Sequence, residues 1–500
     1  MIEKAFQFLQ SRGTVTLSDD TINRIKKSRQ LVLDFIDQGK TIYGINTGFG
    51  KLASVKIEPD ELSELQVNLL HSHACGVGEP IDPDIVALMM WLKIQSLSSG
   101  YSGCSLEVIE KLVELLNLNV IPVIPRRGSV GASGDLAPLS HMCLPLIGEG
   151  EVWYKGECRQ AEDLIQNGLY KPVTLGPKDG LSLINGTQYS TALVLYALYH
   201  IRKIFIFAEL AAAMSVEAVL ATDTPFRDAI QRIRQQTGQR SVAKHLRAFL
   251  NNSEIVRSHV NCNKVQDPYS FRCIPQVLGS VLDTIRFAEK IVDNECQSVT
   301  DNPLVFPEVG EILSGGNFHA EPLAMAADYL TIALTELGNI SERRISILSD
   351  TTMSGLPAFL VDTGGVNSGF MIAHVTAAAL CAENRTLSHP ASVETIPTSA
   401  NQEDHVSMAP NAGLKLLQVL ENIRQIVWIE FLSAAQGIDY RKNLASGDGT
   451  KIAYKKIRRL VKHLEKDRLL ARDLREIDNF YNDEAFFQQV KSLINHSNTR

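Results

Sequence analysis

Between Gly128 and His141 the chain reads Gly-Ser-Val-Gly-Ala-Ser-Gly-Asp-Leu-Ala-Pro-Leu-Ser-His, with three small residues, Ala132, Ser133 and Gly134, near its centre. This tripeptide can react with itself. The Gly134 amide nitrogen can attack the Ala132 carbonyl carbon and close a five-membered ring. Loss of one water from that adduct and of a second from Ser133 leaves an exocyclic methylidene, a strong electrophile made from the chain alone. Each residue type has a reason: glycine reaches backbone angles closed to other residues and lets its nitrogen approach, serine carries the β-hydroxyl that leaves, and alanine offers an unhindered carbonyl. The same composition also describes an ordinary small-residue loop. It does not describe a phosphate loop, because the segment lacks both the Gly-Lys-Ser/Thr ending and the G-x-G-x-x-G spacing.

Five further segments hold side chains that could act on a substrate. Tyr43 opens Tyr43-Gly44-Ile45-Asn46-Thr47-Gly48-Phe49-Gly50. It is either an acid–base group on a lid or a packed tyrosine on a turn, and the residues alone favour the turn. Ser72-His73 offers an imidazole, which is as readily structural. Asn185 precedes a long apolar stretch and could be only a helix-start residue. Arg272 closes Gln266-Asp267-Pro268-Tyr269-Ser270-Phe271-Arg272; its guanidinium can grip a carboxylate as a fork or end in a surface salt bridge. Phe318 and Glu403 belong to Gly315-Gly316-Asn317-Phe318-His319 and Asn401-Gln402-Glu403-Asp404-His405. His71, His73 and Cys75 lack the further ligands that a closed metal site needs, so no metal is expected.

At every position from Gly128 to His141 the sequence resembles the signature G-S-V-G-A-S-G-D-L-A-P-L-[AS]-H of the aromatic amino acid ammonia-lyase and aminomutase family, and the resemblance extends over about residues 5–468. It implies a 4-methylidene-imidazol-5-one group formed autocatalytically from Ala132, Ser133 and Gly134, with Asp135 assisting and no external cofactor. It implies that Tyr43 sits on a mobile catalytic loop and takes the β-proton, and that Asn185 lies beside the prosthetic group. Arg272 would hold the substrate carboxylate with Gln266 and Tyr269 nearby, Phe318 would line the pocket, and Glu403 would face the substrate side chain or its departing proton. Two motifs discriminate within the family. Ser72-His73 and Asn401-Gln402-Glu403-Asp404-His405 resemble the histidine-acting members; phenylalanine and tyrosine lyases read Phe-Leu and His-Leu at the first, and the aromatic lyases read N-Q-D at the second. A phenyl substrate would leave buried His73 and Glu403 unpaired, a cost of roughly 1–3 kcal/mol each. The implied activity is elimination of ammonia from L-histidine to give trans-urocanate, the first step of histidine degradation, with a tyrosine- or phenylalanine-acting lyase or aminomutase as the alternative. The implied assembly is a homotetramer with active sites shared between subunits.

These residues must be positioned by a large fold. The 500 residues are 45% hydrophobic and 21% charged, with a formal net charge of −7. That mildly acidic balance argues against nucleic acid. The N-terminus has no sustained apolar run, and no uncharged apolar stretch is long enough for a membrane span, so neither a secretory signal nor a membrane partner is expected. Eight scattered cysteines with no C-x-x-C pair fit reduced thiols in the cytoplasm. Apolar residues over 20–38, 191–221, 276–296 and 414–436 predict long helices, the last stopped by Gly437, and Pro322, where a first-turn proline belongs, predicts another towards Leu348. The region 119–125 cannot continue a helix, and Glu151-Val152-Trp153-Tyr154 reads as part of a short hairpin. The expected fold is mainly α: an elongated central bundle of long helices over 191–500, and a smaller mixed N-terminal domain over 1–190 carrying the Ala-Ser-Gly loop.

Overall fold

The computed structural model describes residues 1–42, 44–48, 57–58, 61–260, 265–441 and 443–496. Helices dominate. Among the described residues, sheet is confined to three small antiparallel pieces: Val77–Pro80 with Pro125–Arg127, Ile121–Pro122 with the hairpin Glu151–Tyr154 and Glu157–Gln160, and Leu304–Phe306 with Glu311–Leu313. The chain forms two compact units. The first comprises Met1–Ala197, Ala288–Asp328 and Pro390–Leu414; the second comprises Leu198–Phe287, Tyr329–His389 and Lys415–Arg500.

Local chemistry explains most helix starts. Asp19–Asp37 begins where the Ser18 hydroxyl accepts the Thr21 amide, with Asp19 and Asp20 in the first turn. Pro83–Leu97 is capped by Asp82 and opens on proline, whose missing N–H costs nothing there. The long helices are Gln188–Ala218, Ile274–Glu295, Glu321–Ser349 and Ala409–Asp439. Their ends lie within a few residues of the sequence expectation except at Ala409–Asp439, where Gly437 does not stop the helix. It lies inside, and a Cβ there would stand 2.9 Å from the Ala218 Cβ and 3.0 Å from the Leu356 Cδ1. Glycine is needed for close packing at that point, not for termination. Gln188–Ala218 is long and apolar enough to cross a membrane, and 67% of its most apolar window is buried within the protein.

Each unit has its own core. In the first, Val32 and Ile45 cluster with Val305 of the strand Leu304–Phe306. In the second, Phe207, Trp428, Phe431 and Phe480 pack with ring centroids 5.4–6.4 Å apart. The fully buried Arg344 guanidinium in the second unit meets both oxygens of fully buried Glu430, at 2.5 and 2.8 Å, while Ser215 and Ser341 donate to the same carboxylate. Every lone pair that this buried charge needs satisfied has a donor.

Candidate active site

The Gly128–Asp135 loop is built by distant segments of the first unit. Ser407 donates its hydroxyl to the Gly131 carbonyl at 2.9 Å, and the Met408 amide donates to the Val130 carbonyl at 2.8 Å. The Asp135 amide donates to the Gly186 carbonyl at 2.8 Å, and Gly134 and Gly186 form a parallel bridge. Gly134 has φ +75°, and a Cβ there would stand 2.2 Å from the Gly186 carbonyl oxygen. No other residue fits without moving that backbone. Four helices begin beside the loop: Leu136–Cys143, Gln188–Ala218, Glu321–Ser349 and Ala409–Asp439. Each N-terminus carries a partial positive charge, so the loop lies in a field that favours negative charge developing there.

Asp135 anchors this arrangement. Its carboxylate is fully buried and accepts from the Ser190 amide at 2.8 Å, the Ser190 hydroxyl at 2.9 Å and the Ser129 hydroxyl at 3.2 Å. Burial pushes its pKa up to about 6, against the pull of those hydrogen bonds. Asn185 is 4% exposed, and its side-chain oxygen has no hydrogen-bond partner among the described residues. Its side chain therefore caps no helix start, and its backbone amide ends the helix Asp179–Ile184 by donating to the Leu181 carbonyl. Its backbone carbonyl accepts from buried Lys93 Nζ at 2.6 Å, and burial lowers the Lys93 pKa to about 8.

Ala132, Ser133 and Asn185 open on a cavity of about 520 Å³ that Phe318, Glu403 and His405 also line. Ser133 donates its hydroxyl to Glu403 Oε1 at 2.9 Å, while Thr398 and Ser399 donate to Oε2 at 2.8 and 2.7 Å. Glu403 is presented by a turn in which Ser399, Ala400 and Asn401 all have positive φ, a conformation that costs non-glycine residues about 1–2 kcal/mol each. His73 ends the helix Leu62–His73 and lies close enough for the Glu403 charge to act on it. Its Nδ1 meets the Leu69 carbonyl at 2.9 Å. A carbonyl only accepts, so Nδ1 carries the proton and Nε2 of the neutral ring keeps a lone pair. Burial holds the His73 pKa below its ordinary 6.5, despite opposing pulls from the Leu69 bond and Glu403.

The structure thus brings together Ala132, Ser133, Gly134, Asp135, Asn185, Phe318 and Glu403, with His73 nearby. Tyr43 lies outside the described residues. Gln266, Tyr269 and Arg272 belong to the second unit, where they line a cavity of about 410 Å³. There Arg272 Nε donates to the Asp267 carbonyl at 2.8 Å and the guanidinium stands 4.8 Å from the Tyr269 ring centre. Sequence reasoning missed Lys93, Ser129, Ser190, Ser407 and the hydroxyls of Thr398 and Ser399. Only Ser129 lies within the recognised motif; the others carry no local signal.

The model of the aromatic amino acid lyase family matches residues 1–459. A histidine ammonia-lyase of Idiomarina loihiensis is 51% identical over 479 residues, covering 96% of this chain and 94% of that protein. A histidine ammonia-lyase of Vibrio cholerae is 52% identical over 467 residues, covering 93% and 91%. The crystal structure of histidine ammonia-lyase from Trypanosoma cruzi superposes with a TM-score of 0.91 at 41% identity, covering 99% of this chain and 94% of that one. The chain belongs to the aromatic amino acid lyase family.

Proposed function

We propose that this protein is a carbon–nitrogen lyase that eliminates ammonia from L-histidine to give trans-urocanate, using a methylidene-imidazolone closed from its own Ala132, Ser133 and Gly134. The observation that carries the reading is the Ser133–Glu403 hydrogen bond at the wall of the cavity. In this reading the Ser133 hydroxyl is the group that leaves, and Glu403, its acceptor, is the carboxylate that favours an imidazole substrate over a phenyl one. Three features fit the prosthetic group: the left-handed Gly134 pressed against Gly186, the unpartnered Asn185 oxygen, and the helix N-termini around the loop. When formed, the group supplies an electrophile that turns the amine into a better leaving group.

The chain's own residues do the rest. Once Ser133 has lost its hydroxyl, Glu403 Oε1 has a free acceptor site facing the cavity. His73, with a lone pair on Nε2, adds a second acceptor in the neighbourhood. Glu403 suits the single N–H of a neutral imidazole and both acceptors suit the two N–H groups of a protonated one, whereas a phenyl ring would leave both unpaired. Phe318 gives the ring an apolar wall. Asn185 and Tyr269 steady the amino group and the prosthetic oxygen, and Tyr43 takes the β-proton when its loop closes.

The cavity of the first unit is lined by the carboxylates Glu403 and Asp404, with no lysine or arginine among its described lining residues. These carboxylates would repel a substrate carboxylate, which calls for a cation beyond the described lining residues. Arg272, with Gln266 beside it, takes that role in a homotetramer whose sites are shared between subunits. Association is supported by apolar side chains left exposed on the second unit, including Phe287, Tyr329, Ile332 and Ile372. The seven described cysteines are all free thiols, which suits a cytoplasmic enzyme. The test is intact mass with turnover. The purified protein is expected to be two waters lighter than the encoded chain and to release urocanate, and Ser133→Ala to lose both the mass deficit and nearly all turnover. A full-mass protein that still makes urocanate overturns the mechanism; a cinnamate-type acid or a β-amino acid as the product in a substrate panel overturns the substrate.

A further inference from the structure

The first unit holds a cluster that the elimination chemistry does not use. His319, Glu321 and His405 bring one donor atom each to within 4.8 Å of one another. The sequence hides this set, because His405 comes from the segment after Pro390, while Glu321 begins the helix Glu321–Ser349 and His319 precedes it by two residues. Glu321 Oε2 is shielded from solvent and has no hydrogen-bond partner among the described residues. The helix N-terminus favours its charge but leaves that oxygen without a donor. The His319 ring is oriented by an Nε2 contact with the His405 carbonyl at 3.2 Å, which leaves Nδ1 of the neutral ring with a lone pair. A backbone carbonyl on the far ring nitrogen is the usual way a metal-binding histidine is held in one tautomer.

We propose that His319, Glu321 and His405 bind one divalent transition-metal ion of the zinc class on the wall of the cavity that contains Glu403. Two imidazoles and one carboxylate make the donor set of a three-ligand tetrahedral site with an open fourth position. Nitrogen donors select late transition metals over magnesium and calcium, which take oxygen. His319 and His405 both line the cavity, whose described lining residues include no lysine or arginine. Bound metal would tie His405, two residues after Glu403 and just beyond the turn strained at Ser399, Ala400 and Asn401, to the first turn of the Glu321 helix. The site is therefore a device for stiffening that turn, separate from the proposed electrophile.

The experiment uses the full chain, stripped with a chelator and titrated with Zn²⁺ by calorimetry, and in parallel with Co²⁺ by visible absorption. One ion per chain is expected, with ligand-field bands of low-coordinate cobalt. Glu321→Gln, which keeps the shape of the side chain, and His319→Ala are each expected to weaken binding by at least about 10-fold. His71→Ala, which removes an exposed histidine paired with Glu149, is expected to leave it unchanged. Circular dichroism confirms that each variant is folded, and Glu321→Gln decides the outcome if His319→Ala is not. Absence of binding overturns the proposal. So does binding that both variants leave intact, or binding that disappears only when the exposed thiols Cys75 and Cys158 are alkylated. None of these readouts depends on turnover, so failure here leaves the lyase reading untouched.

Discussion

Replacing Glu403 by glutamine tests the charge that the proposed function assigns to imidazole recognition. In the structure Oε1 accepts from the Ser133 hydroxyl at 2.9 Å, and Oε2 accepts from the Thr398 and Ser399 hydroxyls at 2.8 and 2.7 Å. A glutamine keeps the shape, and the two hydroxyls on the Oε2 side can turn to accept from its amide. The 398–403 turn should therefore survive. What is lost is a charged acceptor for the substrate ring, and a hydrogen bond to a charged group contributes about 1.5–3 kcal/mol. At about 1.4 kcal/mol per tenfold, kcat/KM for histidine should fall roughly 10- to 150-fold. Initial rates come from urocanate absorbance, and intact mass is measured on the same preparation. The two-water deficit should persist. A fall smaller than about threefold in a protein that has lost both waters refutes the role given to Glu403. A variant at full mass refutes it differently, by moving the carboxylate's work from the substrate to the removal of the Ser133 hydroxyl.

Gly134→Ala should abolish the mass deficit and destabilise the fold by about 2–5 kcal/mol, combining the left-handed backbone cost with the collision against Gly186; urea unfolding and intact mass check both. The His73 ring acts as an acceptor only while neutral, so kcat/KM for histidine should hold above pH 6.5 and fall on an acid limb below it. His73→Gln, which cannot titrate, should remove that limb, and its persistence would assign the limb to another group. For Asp135 the folded pKa of about 6 lies above its ordinary 3.8. Its stabilising contribution is present below 3.8 and lost as pH rises through 6, by up to about 3 kcal/mol. Asp135→Asn should flatten that part of the stability–pH curve relative to the parent protein in denaturant titrations at a series of pH values, and an unchanged slope would count against the burial argument.

The chemistry proposed for residues 128–141 could be read from the sequence because it is local. Ring closure needs particular side chains on adjacent residues, and adjacency is what a sequence states. The long helices were legible for a related reason: Pro322 in a first turn and apolar residues at helical spacing express the geometry of one segment. Gly437 marks where local reasoning stopped. A glycine after an apolar run resembles a helix end, and only the approach of Ala218 and Leu356 shows that it is a packing position.

The electrostatic character of the site was decided by tertiary structure. Nothing near Asp135 in sequence says that Ser190 will hold its carboxylate, and nothing near Asn185 says that Lys93 will hold its backbone while its side-chain oxygen stays unpartnered. The hydrogen bond between Ser133 and Glu403, and the convergence of His319 and Glu321 with His405, join segments far apart in the chain. Residue identity sets what a group can do and periodicity sets which face of its own helix it occupies. Which groups meet, and how much water remains between them, depends on packing summed over whole segments, and that sum is not a property of any local stretch.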